Sequence, residues 1–159
     1  KPQIIMMHDD YGANDRMLMS LDMWREFFKE PLARLVSTAH EYGMAYEHHS
    51  CGHIEEIIGD LIEIGVDALH PLQRPCNDIV KIKKEYGGKI TLIGGFSSQT
   101  VIDNPSATEE EKCADIEYAY ETLAPGGGYV SFPIIIDYKT NISYFVKMHQ
   151  KLARKYANT

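Results

Sequence analysis

A histidine and a cysteine two residues apart, His49 and Cys51, stand where the run 44–48 gives way to the polar stretch His49-Ser50-Cys51-Gly52-His53. In an extended strand residues i and i+2 point to the same side, so an imidazole and a thiol at a strand's carboxyl end can converge on one ion. One thiolate and one imidazole suit zinc, and binding keeps the thiol deprotonated near neutral pH. Without an ion the pair reads as a buried strand end, with Cys51 a small hydrophobe and His49 hydrogen-bonded to backbone. A second polar cluster, His8-Asp9-Asp10-Tyr11-Gly12, follows the apolar run 3–7. Asp9, Asp10 and Tyr11 are the candidate catalytic residues, because adjacent acids at a strand end often have shifted pKa values and can orient a substrate or exchange protons. Loop solvation and helix capping are the plainer reading of either acid alone. Gln73, Asn77, Gly94, Gly95 and Gln99 are the candidate cofactor-binding residues. The three amides can hydrogen-bond a polar ligand, with turn or N-cap duty as the alternative, and the two glycines permit close backbone approach. Neither Gly94-Gly95 nor Gly126-Gly127-Gly128 has the spacing of a Walker loop or a dinucleotide fingerprint.

These residues need elements to hold them, and the chain alternates short apolar runs with amphipathic segments, the pattern of βα units and a parallel sheet. The spacing predicts strands at 3–7, 44–48, 66–69, 90–93 and 129–132, each followed by one of the polar loops. The first, continuous and apolar, has the composition of a strand covered on both faces. Ser20 is the expected N-cap of a helix to residue 29. Pro31 opens a second that stops at Gly43, with Trp24, Phe27, Phe28, Leu32 and Leu35 as the buried face. Further helices are expected over 54–64, from an Asn77 cap to Gly87-Gly88, from a Ser106-x-x-Glu109 capping box to 123, and over 141–156. Five such units make either an open doubly wound sheet or part of a closed barrel, and periodicity does not choose between them.

Composition narrows the classes. With 159 residues, 44% hydrophobic and 25% charged, the chain has the make-up of one ordinary globular domain. No apolar run approaches the roughly 20 residues of a membrane span. A net charge of -7, with basic residues scattered, offers no stripe for tracking phosphates, so neither nucleic acid nor membrane is an expected partner. Cys51, Cys76 and Cys113 are an odd set without CxxC spacing, which points to reduced thiols and a cytoplasmic location. The opening Lys1-Pro2-Gln3 has neither an initiator Met nor the order of a signal peptide, and reads as a start partway into a longer chain.

The order of motifs is more specific than their periodicity. His49-Ser50-Cys51-Gly52, then Gly65-Val66-Asp67-Ala68-Leu69 with Gln73, then Gly94-Gly95-Phe96, then Gly126-Gly127-Gly128-Tyr129, resembles the second half of the uroporphyrinogen decarboxylase superfamily over nearly the whole chain. The resemblance implies an α/β fold, a partial TIM (β/α)8 barrel in which residues 1–159 carry about strands 4 to 8 with their helices. A partial barrel would expose a sheet edge and an apolar face, so a homo-oligomer or association with the missing barrel half is expected. His49-x-Cys51 is similar to the branch of cobalamin-linked methyltransferases, which bind zinc through a His-x-Cys pair and a later Cys. That likeness implies a zinc-activated thiol or methylated small-molecule substrate, and cobalamin carried by a partner corrinoid protein. Where the later Cys is implied, this sequence reads Tyr129-Val130-Ser131-Phe132-Pro133-Ile134-Ile135-Ile136, leaving His70, Cys76, Asp9, Asp10 or Glu47 to complete a site. Uroporphyrinogen decarboxylation is the alternative enzyme reading, although the Gly-His-Gly turn implied for it after Gly128 is missing. An inactive half-barrel module that assembles with itself or a partner is the third.

Overall fold

The computed structural model describes residues 2–132 and 142–157. Five parallel strands, β1 (Ile4–His8), β2 (Ala45–His49), β3 (Ala68–His70), β4 (Thr91–Ile93) and β5 (Tyr129–Val130), lie side by side in chain order. Helices separate successive strands: α1 (Leu21–Trp24) and α2 (Glu30–Glu41), α3 (Ile58–Glu63), α4 (Ile79–Tyr86) and α5 (Glu109–Leu123), with α6 (Ile142–Tyr156) last. Neighbouring strands that are consecutive in sequence and parallel throughout are the arrangement of a stretch of (β/α) barrel. An open doubly wound sheet would reverse its strand order at a switch point.

Side-chain alternation gives the sheet two different faces. Tyr46, Leu69 and Leu92 turn to the helix layer and are buried there with Trp24, Leu32, Val36, Ile57, Leu61 and Ile82. The opposite face carries Met6, Glu47, Ala68 and Thr91 in one register row and His8, His49 and His70 in the next. Strand β1 is the sheet edge, and Ile4, Ile5, Met6 and Met7 are 36–58% exposed. It is therefore not covered on both faces as its composition predicts, because no described element packs beyond it.

Several local expectations shift for identifiable reasons. Residues 21–41 form one continuous helical rod in place of two helices, and a π-type turn, Arg25–Lys29, joins α1 to α2. Pro31 lacks an N–H and its ring would crowd the preceding turn, so a wider turn there lets the rod pass through it. Of the expected buried face, Trp24 and Leu32 are buried. Phe27 is 57% and Leu35 48% exposed, Leu35 beside Met7 of the edge strand in a 130 Å³ hollow. The α5 capping box is Thr108 with Glu111, not Ser106 with Glu109, since Ser106 is held in a turn by Asn104 Oδ1. Asp78, not Asn77, caps α4, accepting from the Val80 and Lys81 amides. The rod is pinned by buried Asp60 of α3, whose two oxygens share the Arg25 Nε–H and which also accepts from Arg25 Nη2 and from Lys29 Nζ at 2.6 Å. The expected final strand ends at Val130, two residues short of 132. Of the expected final helix 141–156, residue 141 lies outside the described residues.

Candidate active site

The register row of histidines crosses the carboxyl ends of three strands. His8 pairs with His49 and His49 with His70, with ring centroids 4.4 and 4.9 Å apart. His49 Nδ1 meets His70 Nδ1 at 2.8 Å. On its other edge, His49 Nε2 lies 3.5 Å from Cys51 Sγ and 3.6 Å from Asp10 Oδ1. Among the described residues, Asp10, His49 and Cys51 are the group whose ligand atoms all fall within 4.8 Å of one another.

Two glycines bring Asp10 there. A Cβ on Gly12 would stand 2.5–2.7 Å from backbone atoms of His53 and Cys51, and one on Gly52 2.4–2.6 Å from backbone atoms of Gly12 and Ala13. The loops after β1 and β2 thus press backbone against backbone, a contact that only glycine allows. The pressed loops are tied by His53 N donating to Ala13 O at 2.7 Å and Cys51 N to Asp10 Oδ1 at 2.8 Å. From the loop after β3, Gln73 Oε1 accepts from Gly52 N at 2.7 Å. Asn77 accepts from Ile54 N through Oδ1 and donates through Nδ2 to Gly52 O and Gln73 O. Gln73 and Asn77 therefore spend these groups on the Cys51-Gly52-His53 loop.

The remaining sequence-proposed residues are spread out. Tyr11 is buried on the helix side of the sheet, stacked on His48 and edge-on to Trp24, with its hydroxyl donating to Asp9 Oδ2 at 2.9 Å. Burial, then Asp9, holds its phenol far above the ordinary value, so Tyr11 stays protonated. Gly94 and Gly95 have positive φ and pack closely: Gly94 O accepts from Tyr129 Oη, and a Cβ on Gly95 would strike Leu123 Cδ1 at 2.5 Å. Gln99 is exposed in a π-type turn, Ser98–Ile102. Neither those glycines nor Gln99 joins the Asp10–His49–Cys51 group. The Cys76 carbonyl takes up His53 Nδ1 at 2.5 Å, and Glu47 is buried one register row below His49.

Burial is the leading influence on the titratable groups of the site. Burial, with Asp10 and Cys76 adding to it, raises the Cys51 thiol above its ordinary value. Burial and His8 lower His49 against the pull of Asp10, and burial with His49 and His8 takes His70 down to about 4. Burial thus disfavours the charged forms of His49, His70 and Cys51 alike. An N, O, S donor set of this size is chemically suited to zinc, and filling it would require Cys51 to lose its proton.

The sequence does not show the ring contact of His8 with His49, the contact of His70 with His49, or the loop clamp by Gly12. The first two were open to a register argument, since each residue ends its strand one position short of the polar loop. Also unanticipated is Arg74, which bonds the buried Asp115 carboxylate and Ser97 Oγ and lies 4.6 Å over the Tyr118 ring.

Comparisons with known proteins bear on this arrangement. Residues 2–131 match the uroporphyrinogen decarboxylase (URO-D) family. A comparison with curated proteins returns no match. Among solved structures, a methyltransferase from Methanosarcina mazei superimposes with a TM-score of 0.74 at 21% identity. The match covers 97% of this chain and 42% of that one. The chain thus spans less than half the length of that structure, and the likeness shows the fold.

Proposed function

The chain belongs to the uroporphyrinogen decarboxylase family, and from that premise we propose that it carries the thiol-activating part of a corrinoid-linked methyltransferase. The observation that carries the reading is the convergence of Asp10 Oδ1, His49 Nε2 and Cys51 Sγ at the carboxyl ends of β1 and β2. In a (β/α) barrel that end is where chemistry is done. The Methanosarcina mazei structure, itself a methyltransferase, supports the choice within the family.

In this reading His49 and Cys51 are the zinc ligands, with Asp10 in place of the cysteine missing from residues 129–136. Zinc held by them would lower the pKa of a substrate thiol bound beside it, making a better nucleophile toward a methyl group. The chain's own contribution is positional. Gly12 and Gly52 fix the separation of the two loops, Gln73 and Asn77 brace the second loop, and His70 orients the His49 ring. The methyl group would be exchanged with cobalamin on a corrinoid protein, the substrate being a thiol or a methylated small molecule.

A second reading is favoured by the edge strand. Ile4, Ile5, Met6 and Met7 are partly exposed on β1, and among the described residues nothing pairs with its outer side, so the sheet offers an apolar edge that a further barrel segment or a second copy would cover.

The test of the first reading supplies methylcobalamin and a small thiol to the zinc-supplemented protein and follows S-methylation by mass spectrometry. Wild type is expected to methylate the probe thiol, and His49→Ala and Cys51→Ser to fall by more than about tenfold, the lower end of what losing even an outer-shell partner of a metal site costs. Equal activity in all three would remove these residues from the reaction.

A further inference from the structure

The 2.8 Å contact between His49 Nδ1 and His70 Nδ1 can hold one proton, because two lone pairs or two N–H groups cannot face each other at that distance. The proton's side fixes the opposite edge of both neutral rings. When His70 Nδ1 donates, His49 carries its second proton position on Nε2, where an N–H faces Cys51 Sγ at 3.5 Å and Asp10 Oδ1 at 3.6 Å. His70 Nε2 is then a bare lone pair. When His49 Nδ1 donates, His49 Nε2 is the lone pair, and His70 must carry its proton on Nε2. That lone pair would face the Asp10 oxygen with only the weak Cys51 S–H donor to meet it, which favours the first tautomer, and a cation on Nε2 reverses the preference. In the exchange the shared proton passes from His70 Nδ1 to His49 Nδ1, the proton on His49 Nε2 leaves to water, and one from water is taken up on His70 Nε2, so each ring keeps one proton and the pair stays neutral.

His70 Nε2 makes this choice matter. The residue is 3% exposed, its Nε2 is buried without a hydrogen-bond partner among the described residues, and the Phe132 ring packs 5.3 Å from its own. An unmet buried group of this kind is costly, and a partner atom from a ligand would remove that cost.

We infer that His49 and His70 form a tautomer relay, in which a divalent cation on His49 Nε2 turns the buried Nε2 of His70 from a lone pair into an N–H donor for an acceptor oxygen of the bound substrate. The inference rests on the metal reading above and adds to it a recognition element on β3. It makes metal and substrate cooperative: a ligand oxygen on His70 Nε2 favours the His49 tautomer that binds the cation, and the reverse holds equally. His70 is a positioning residue toward the metal and a specificity residue toward the substrate.

The experiment is long-range ¹H–¹⁵N correlation of the histidine rings in uniformly ¹⁵N-labelled protein near pH 7.5, with His70→Asn and His49→Ala used for assignment, as zinc is added in steps. The expected result is a His70 ring protonated on Nδ1 without zinc and on Nε2 at saturation, while His49 moves from Nε2–H to Nδ1–H. Zinc that shifts the His49 nitrogens but leaves the His70 tautomer unchanged overturns the relay and leaves the metal site standing. Zinc that leaves His49 unshifted overturns both. Zinc affinity from competition with a chromophoric chelator gives a second readout. His70→Phe is expected to weaken it about 10- to 100-fold, and His70→Asn, whose amide can still accept from His49 Nδ1, to restore most of the loss. Equal affinities in the wild type and the Phe variant also overturn the relay.

Discussion

Adding one methyl group at four glycines separates the effect of backbone conformation from that of close approach, and only one of these effects moves the site. Gly88 has an ordinary φ and nothing within 4 Å of its would-be Cβ; Gly126 has equal space but a φ of 77°. Gly12 has an ordinary φ and backbone atoms at 2.5–2.7 Å, and Gly52 combines a φ of 80° with backbone atoms at 2.4–2.6 Å. A left-handed conformation costs an alanine about 1–2 kcal/mol, and forcing a methyl into packed backbone about 1–3 kcal/mol. Gly88→Ala should therefore be neutral or stabilising by up to about 1 kcal/mol through the unfolded chain. Gly126→Ala should lose about 1–2 kcal/mol, Gly12→Ala about 1–3, and Gly52→Ala about 2–5 as the sum. Urea unfolding of the four variants gives the stabilities, and zinc titration gives the site. Gly126→Ala should leave zinc affinity alone despite its cost, whereas Gly12→Ala and Gly52→Ala should weaken it by moving Asp10 away from His49 and Cys51. Gly12→Ala and Gly52→Ala proteins as stable as wild type, with zinc affinity intact, would refute the loop clamp.

Other residues give independent checks. Asp115 is 2% exposed and depends on Arg74, so Arg74→Met should cost about 3–5 kcal/mol in urea unfolding, and adding Asp115→Asn should recover part of it. His48 is fully buried between Tyr11 and Tyr46 with both ring nitrogens unpartnered among the described residues, so His48→Phe should raise stability by about 1–3 kcal/mol. Burial holds the folded His48 ring down at about 4, below the 6.5 of a free one. Its contribution is therefore present above pH 6.5 and lost as pH falls toward 4, by up to about 3 kcal/mol, and the Phe variant should lack that part of the slope. Hydrogen bonds from Arg25 and Lys29 outweigh burial and keep the Asp60 carboxyl below its ordinary value. The stability it contributes should persist above the ordinary carboxylate range and vanish as pH falls through the lowered value, so Asp60→Asn should unfold earlier in urea at pH 7 and match wild type in strong acid.

Much of the fold is legible because apolar runs and glycine punctuation mark parallel strands and helix ends directly, as Gly43 and Gly65 do with their positive φ. Continuity across Pro31 is not legible, since proline weakens a helix locally while the packing of Trp24 and Leu32 decides whether the rod continues. His49 and Cys51 stand out through their i, i+2 spacing. Asp10 stands out only as one of two acids, and what selects it over Asp9 is the Gly12–Gly52 contact, made between loops 40 residues apart. Asn77 has the look of an N-cap and would cap α4 had the chain not turned its amide toward Gly52 and Ile54, a tertiary partner that no local pattern announces.

The central claim is that Asp10, His49 and Cys51 form one metal site, and elemental mass spectrometry on the purified protein tests it most directly. About one zinc per chain is expected for wild type. Cys51→Ser and His49→Ala should lose it, and Asp10→Ala should hold it more weakly against a chelator. No zinc in a folded, zinc-supplemented wild-type sample, or zinc retained in full by all three variants, would contradict the account.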